Sequence, residues 1–402
     1  MSTNTKPLIV QKFGGTSLAT TRHISCLAES ISNKSREIRL VVVVSAMAGA
    51  TNEAIAKCME VKVGNTQLAL QAYDAAISSC ENLSAALLAL ALLNRGITAK
   101  AIQGWQIPII TDTSFSRARI LSIDSHKIMS YVKQGIVPII CGFQGITDDN
   151  IVTTLGRGGS DTTAVAVAAA IEAQSCEIYT DVAGVFSADP RLVSKALKID
   201  SISHEEMLLF ARYGAKVLER RSVEISMRYN VPLEVIATNS SLPGTKILQR
   251  NKDRMESPKI KGITLKNDII FCTIKTSAIA LLIDQLKEIY CSNLIINHLE
   301  KSCQFEAPLS EKSKIDTILA NKAIVQDYKI DSESALVAIV GWSIGESCDM
   351  LSNIWKELQL TKIDVRQVCL DTHIIRIKVP LSQADVVVKH LHTTFIENAQ
   401  TN

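Results

Sequence analysis

The sequence predicts an α/β protein with a mainly parallel sheet, followed by two smaller α+β modules. Three observations lead there. Short β-branched runs alternate with longer helical patterns through the first half, as in layered α/β folds. Some of these runs, Arg39–Ser45 above all, are apolar at nearly every position, which suits a strand covered on both faces. Behind a charged stretch at 249–261 glycine becomes scarce, and the order of elements changes.

The elements follow in order. Leu8-Ile9-Val10 reads as a strand, Gly14–Ser17 as a loop, and Thr20–Arg36 as a helix. Arg39–Ser45 is the second strand, and Gln67–Asn94, rich in alanine and leucine, is mostly helical. Val137–Cys141 and Ile151–Leu155 read as strands around the polar turn Thr147–Asn150. Gly156–Ser160 is a glycine-rich loop, Asp161–Ala173 a helix, and Cys176–Thr180 a strand. Three domains are expected: 1–250, then modules at 262–330 and 331–396. In the second module Ala335–Val340, Ile363–Val368 and His373–Val379 are strands, and Cys348–Leu358 and Gln383–Phe395 are helices. That order fits a β-α-β-β-α-β, ferredoxin-like unit.

Composition narrows the classes. The chain has 402 residues, 47% hydrophobic and 21% charged, enough apolar material for more than one core. A formal net charge of +3 without a long basic run gives no sign of nucleic-acid binding. The ten cysteines include no C-x-x-C pair, which disfavours zinc ribbons and thioredoxin-like chemistry and suits reduced thiols in the cytoplasm. No signal peptide is recognisable. Runs such as Val41–Val44 and Ala164–Ile171 are too short to span a bilayer, so no membrane role is expected. His390 and His392 face apart on a helix and do not suggest a metal site.

Three glycine-bearing loops sit at strand ends: Lys12–Ser17, Ser45–Gly49 and Gly156–Asp161. Glycine lets a backbone approach a phosphate closely, and a following helix presents free N–H groups to it. One glycine pair marks a tight turn as readily as a phosphate site. Three loops after strands, two of them carrying a cation, point to a ligand at the open end of a parallel sheet. Neither a G-x-x-x-x-G-K-[ST] nor a G-x-G-x-x-G pattern occurs, which excludes the P-loop and dinucleotide fingerprints.

KFGGTS, VVVVSAMAGATNE, FQGIT, TTLGRGGSDTTA, YTDVAGVFSADPR and YGAKVL follow one another along the chain. In that order they resemble the aspartate kinase branch of the amino-acid kinase family, over roughly residues 8–250. The resemblance implies a three-layer α/β/α sandwich and transfer of the ATP γ-phosphoryl group to the side-chain carboxylate of L-aspartate. The product would be 4-phospho-L-aspartate, on the route to lysine, threonine and methionine. An aspartate carboxylate, with an ordinary pKa of about 3.9, needs no general base. Bringing two anions together instead demands fixed cations and oriented N–H groups.

The resemblance assigns the residues. Lys12, Asp161 and Lys216 match the catalytic positions: Lys12 between carboxylate and γ-phosphate, Lys216 on the ATP phosphates, and Asp161 orienting both lysines. Arg157 offers a planar fork to the substrate α-carboxylate, and Glu81 matches the acceptor of its ammonium. The pattern around Glu81 departs from the family's T-x-G-E-x-x-S, since Ser78 and Cys80 replace threonine and glycine. Thr51, Gly158, Gly159 and Ser160 complete the substrate side. Phe13, Gly14, Gly15, Ser45 and Ser160 fall on the nucleotide side. Thr180, Asp181, Phe186, Ser187, Ala188, Asp189, Pro190 and Arg191 match the adenosine-side wall. Mg2+ would arrive on ATP, held by phosphates and water.

Behind 262 the chain resembles paired ACT modules in strand–helix order only. The family's D-x-P-G ligand loop is replaced by Lys275–Ala278 in one module and by Gly341–Glu346 in the other. Effector binding is therefore expected to be weak, and homodimer formation is the expected role. Rival readings are another amino-acid kinase, acting on glutamate, acetylglutamate or UMP, and a non-catalytic regulatory subunit. The combination of GRGGSD with the rear region opposes the first, and retention of Lys12, Arg157, Asp161 and Lys216 opposes the second.

Overall fold

Continuous apolar runs decide where the first sheet lies. Val41, Val42, Val43 and Val44 are all fully buried. Leu40, Val42 and Val44 join a core cluster with helical residues of 24–31 and 85–92. Val41 and Val43 therefore point to the opposite face, because side chains alternate along a strand. Burying each such side chain contributes about 1.5–3 kcal/mol, so this strand is held from both sides.

The computed structural model describes residues 6–61, 64, 66–238, 240, 242–249, 259–287 and 289–398. They divide into two compact units. The first runs to Val185 and takes in Lys198–Ala211 and the stretch from Lys216. The second holds Phe186–Leu197, Arg212–Ala215 and the described residues from Lys259 on.

The first unit begins with β1 (Leu8–Phe13), α1 (Thr21–Lys34), β2 (Arg39–Val44), α2 (Ala50–Glu60), α3 (Gln67–Ser78) and α4 (Cys80–Leu93). β3 (Ala99–Ile102), β4 (Ile109–Thr111), β5 (Ile120–Ile123), α5 (Ser125–Lys133), β6 (Val137–Cys141), β7 (Gln144–Ile146) and β8 (Val152–Thr154) follow. It closes with α6 (Gly159–Ala170), β9 (Ser175–Thr180), β10 (Ser201–Ser203), α7 (His204–Arg212), α8 (Arg220–Tyr229), β11 (Leu233–Ala237) and β12 (Thr245–Leu248). The main sheet has the order β10-β12-β11-β9-β1-β2-β6-β3. Its pairings are parallel except β11 with β12. α1 and α4 cover one face, and α6 packs against β1, β2 and β9 on the other. A small second sheet runs β5-β4-β7-β8.

The α3–α4 stretch corrects one expectation. Gln67–Leu93 is long and apolar enough, by length and composition, to cross a membrane. In the fold, however, Ala85, Leu88 and Leu92 are buried in the core with β2 and β6, and the buried carboxylates Asp74 and Glu81 face inward from the same stretch. These are core helices of the first unit.

The second unit contains β13 (Lys259–Lys266), β14 (Ile269–Lys275), α9 (Ile279–Leu286), β15 (Ser292–Asn297), β16 (Ser302–Pro308), α10 (Lys312–Leu319) and β17 (Asp327–Asp331). β18 (Ser334–Trp342), α11 (Cys348–Leu360), β19 (Gln367–Asp371), β20 (Ile374–Pro380) and α12 (Ala384–His392) complete it. Its two antiparallel sheets have the orders β15-β16-β14-β17 and β13-β18-β20-β19.

That topology corrects the module boundaries of 262–330 and 331–396. β14 to β17 form a complete β-α-β-β-α-β unit. The later module ends on α12, and its fourth strand is β13, which comes from before the first module and pairs antiparallel with β18. The first module is thus inserted into the second. The strand expected at Ile363–Val368 begins instead at Gln367, because Ile363 and Val365 pack into the core as part of the connection after α11. The expected 1–250 boundary is also interrupted, since Phe186–Leu197 and Arg212–Ala215 belong to the second unit. Of the expected linker at 249–261, residues 250–258 lie outside the described residues, and Lys259–Lys261 form the start of β13 instead.

Candidate active site

Two of the glycine-bearing loops follow β1 and β2, central strands of the main sheet, and the third, Gly156–Asp161, follows β8 of the small sheet and opens α6. Around them opens a cleft of about 630 Å³ within the first unit. Lys12, Gly15, Ser45, Thr51, Glu81, Arg157, Gly158, Gly159, Ser160 and Asp161 all line it. Phe143, Ser116, Tyr73 and Asn52 add walls that sequence reasoning did not single out.

Lys12 stands next to the last position of β1, on the face that α6 covers. Its Nζ lies 2.6 Å from Asp161 Oδ1 at the start of α6, and both side chains are largely shielded. The acidic residue in the first turn of α6 also complements the helix dipole. The pair leaves the ammonium fixed at the cleft, oriented by a carboxylate.

The loop before α6 needs its glycines. Gly158 caps the helix with φ +65, and a Cβ there would come within 2.5 Å of Glu219. At Gly159 a Cβ would meet the Phe143 ring at 2.8 Å. The backbone therefore turns sharply into the helix, with Ser160 buried and Arg157 exposed at the cleft.

Glu81 is 3% exposed, not a solvated helix residue. Its Oε1 accepts the Ala46 N–H at 3.2 Å, while Oε2 has no hydrogen-bond partner among the described residues. Burial pushes its carboxyl up to about 8, against the opposing pull of backbone N–H donors.

Asp74 on α3 is fully buried and escaped the sequence reading. Its Oδ2 accepts the backbone N–H groups of Ser116 and Thr154, both at 2.8 Å, and its Oδ1 accepts the Thr154 hydroxyl at 2.9 Å. Burial raises its carboxyl above the ordinary range although three donors pull the other way. Arg221 completes the brace, donating to the carbonyls of Leu155 (2.6 Å) and Ala118 (2.8 Å). These two side chains tie the Ser116 wall and the end of β8 together, directly before the glycine loop.

The remaining candidates lie elsewhere. Phe13 stacks on Tyr179 with ring centroids 4.7 Å apart, and the Gly14 N–H donates to the Tyr179 carbonyl at 3.3 Å. Neither lines the cleft. Thr180 is half-buried at the end of β9, Asp181 and Lys216 are exposed, and none of these three lines the cleft. Phe186, Ser187, Ala188, Asp189, Pro190 and Arg191 lie in the second unit, where Ala188 joins the hydrophobic core. The Ser187 hydroxyl is taken up by protein partners. Among the described residues no group of three or more His, Cys, Asp or Glu side chains is arranged to hold a metal ion.

The sequence model of the amino acid kinase family matches residues 7–237. An aspartokinase of Rickettsia felis is 37% identical over 401 residues, covering 96% of this chain and 99% of its own. An aspartate kinase of Pseudomonas putida is 38% identical, covering 96% and 97%. This chain belongs to the amino acid kinase family, in its aspartokinase branch. Among solved structures, E. coli aspartokinase III in complex with aspartate and ADP matches the aspartokinase fold seen here with a TM-score of 0.79. It is 24% identical and covers 96% of this chain and 99% of its own. The aspartokinase-type order, kinase sandwich first and antiparallel modules behind, is thus shared across the whole chain.

Proposed function

We propose that this chain transfers the γ-phosphoryl group of ATP to the side-chain carboxylate of L-aspartate, giving 4-phospho-L-aspartate. The observation that carries the proposal is the cleft itself. A fixed ammonium, a helix-opening glycine loop, an arginine and a buried carboxylate converge on it.

The roles divide by charge. Lys12, held by Asp161, neutralises the approach of carboxylate to γ-phosphate and stabilises charge on the transferring group. The N-terminus of α6, with Ser160 and the backbone of Gly158 and Gly159, receives phosphate oxygens. Arg157 takes the substrate α-carboxylate as a fork, and Glu81 Oε2 takes its ammonium. Ser45 and Thr51 supply hydroxyls at the cleft. Thr180, Asp181, Lys216 and the Phe186–Arg191 segment are assigned to the nucleotide on motif grounds alone.

Mg2+ suits this donor set as a companion of ATP. Asp161, the carboxylate at the glycine loop, is already committed to Lys12. The ion would be held by phosphates and water and would shield the triphosphate charge.

We further propose that the enzyme is cytoplasmic and pairs into a homodimer through the second unit. All ten cysteines are free, which suits a reducing compartment. Strand β15 lies at a sheet edge and exposes Leu294, Ile295 and Ile296, an edge that another chain can cover. The test of activity is ADP release by purified protein with ATP, Mg2+ and a panel of acceptors. L-Aspartate alone should support turnover. Turnover with L-glutamate, N-acetylglutamate or UMP in its place refutes the assignment.

A further inference from the structure

The faces of the two modules that carry no helices confront each other inside the second unit. In β14 and β16, Ile270, Cys272, Ile274, Cys303, Phe305 and Ala307 are buried in a core with residues of α9 and α10. Phe271, Thr273, Gln304 and Glu306 alternate with them and so point to the opposite face. In β20, Ile375, Ile377 and Val379 join the core with α12, which turns Arg376 and Lys378 to the other side of their sheet. Two contacts link the faces. Lys378 Nζ lies 3.9 Å from the centre of the Phe271 ring, and Arg376 Nη1 lies 3.6 Å from Glu306 Oε1. Beside these contacts is a cavity of about 100 Å³, lined by all four of these side chains and by Thr273 and Leu336. It meets solvent where the exposed Ile295, Gln304 and Gln367 line it.

Four charges are largely shielded here, and only one of the two cations is closely matched. Lys378 Nζ lies 2.8 Å from Asp331 Oδ2. Burial pushes the Asp331 carboxyl up, but the bonds from Lys378 and Ser334 outweigh it and hold the group down at about 2. Arg376 is matched less well. Glu306 at 3.6 Å is beyond hydrogen-bond reach, and its Oε2 accepts the Asn293 amide at 2.6 Å. Burial raises the Glu306 carboxyl above its ordinary range, against the pull of Asn293 and Arg376. A guanidinium cannot shed its proton, so Arg376 keeps its charge beside a carboxyl that burial drives towards neutrality. Its Nε is buried and makes no hydrogen bond among the described residues. Such an underpaired charge is costly inside a protein. The cavity has room for a few waters, which suits a compact ion better than a free amino acid such as lysine.

We propose that this cavity binds a small oxyanion – a phosphate, a sulfate or a short carboxylate – on the Arg376 guanidinium, with Lys378 alongside. The fork of an arginine matches two oxygens of such an ion. Thr273 and Gln304 offer further donors at the same cavity. The ion bridges β16 and β20 and ties the two modules together. The site lies within the second unit and does not depend on the reading of the first-unit cleft.

The test uses full-length native protein, Arg376→Gln and Glu306→Gln, each titrated with inorganic phosphate, sulfate or acetate. Ionic strength is held constant with sodium chloride, and chloride alone is the control. Amide hydrogen exchange is the readout, because it separates this site from phosphate entering the cleft. In the native chain at least one oxyanion should slow exchange in β16 and β20 saturably, at millimolar concentration or below. Exclusion of phosphate or sulfate from the protein surface stabilises the folded chain as a whole, not these two strands in particular. Arg376→Gln should weaken the response at least about tenfold, the loss expected for a charge-assisted bond. Glu306→Gln removes the competing carboxylate but keeps an acceptor for Asn293, so it should tighten the response about two- to tenfold. The anion that saturates at the lowest concentration identifies the source. Absence of saturable protection in β16 and β20 of the native chain overturns the proposal. An equal response in Arg376→Gln, or to chloride alone, does so too. Should Arg376→Gln fail to fold, Glu306→Gln decides, and an unchanged or weaker response there overturns the proposal.

Discussion

Glu81→Gln should stabilise the first unit while weakening aspartate binding, and the stability gain should depend on pH. Burial lifts the Glu81 carboxyl from 4.5 to about 8, and the Ala46 amide offsets only part of that cost. In the unfolded chain the group titrates near its ordinary value, so folding favours the protonated form. Below the unfolded pKa both states hold the proton and the group costs nothing. As pH rises towards about 8 the folded state loses stability steadily, and above that the loss is complete. A rise from 4.5 to about 8, at about 1.4 kcal/mol per tenfold, corresponds to at most about 5 kcal/mol. Glutamine has the same shape and keeps an acceptor for Ala46 but carries no charge. Glu81→Gln should therefore gain roughly 3–5 kcal/mol over the native chain near pH 9 and almost nothing near pH 4.5. Urea denaturation at the two pH values measures this, following the first unit's transition because two units need not unfold together. The same variant should bind aspartate about tenfold to a hundredfold more weakly, as a charged hydrogen bond is lost. An equal stability change at both pH values would refute the reasoning, as would an unchanged aspartate KM.

Other expectations follow from the same geometry. Lys12→Ala should lower kcat about a hundredfold to a thousandfold, the usual loss for a transition-state electrostatic partner, with a smaller change in the aspartate KM; steady-state kinetics on folded protein checks it. Arg157→Lys keeps the charge but loses the fork, so the aspartate KM should rise while the ATP KM moves little; a weakened ATP KM instead would move Arg157 to the nucleotide. Asp74→Ala strips an acceptor from the Ser116 and Thr154 amides and should cost about 2–4 kcal/mol while loosening the cleft wall; thermal melting together with the aspartate KM measures both effects. Lysine and threonine, alone or together, should inhibit weakly at most, because Lys275–Ala278 and Gly341–Glu346 lack the proline–glycine turn; strong inhibition at sub-millimolar lysine would show that these loops still form a pocket.

The parts of this fold legible in the sequence are those with local signatures. Arg39–Val44 declared itself by being apolar throughout, and Gly156–Asp161 by needing backbone conformations that only glycine allows. Lys12 and Asp161, far apart in sequence, were paired through motif resemblance, and the structure sets them 2.6 Å apart. Partner choice was not legible. Lys259–Lys261 reads in the sequence as the end of the linker, whereas these residues open β13, which pairs with β18 and not with its neighbour β14. A hint was available, since the later module counted one strand too few for a β-α-β-β-α-β unit. Asp74 was missed because a carboxylate in an alanine-rich helix looks like a solvated face. Only the fold reveals the three donors around it. Phe143 and Ser116, both at positive φ, carry no sequence mark of that strain. The same alanine and leucine richness that makes α3 and α4 good core helices gives them membrane-like hydropathy, and burial of Asp74 and Glu81 decides between the two.

The central claim is that the cleft joins ATP to an aspartate side chain, and phosphorus NMR of a reaction mixture tests it most directly. With purified protein, ATP, Mg2+ and L-aspartate, the account predicts an acyl-phosphate resonance that grows in step with ADP. That resonance should be absent without aspartate and strongly reduced with Lys12→Ala. ADP formation without an acyl phosphate, or an acyl phosphate formed equally well by Lys12→Ala, would contradict it.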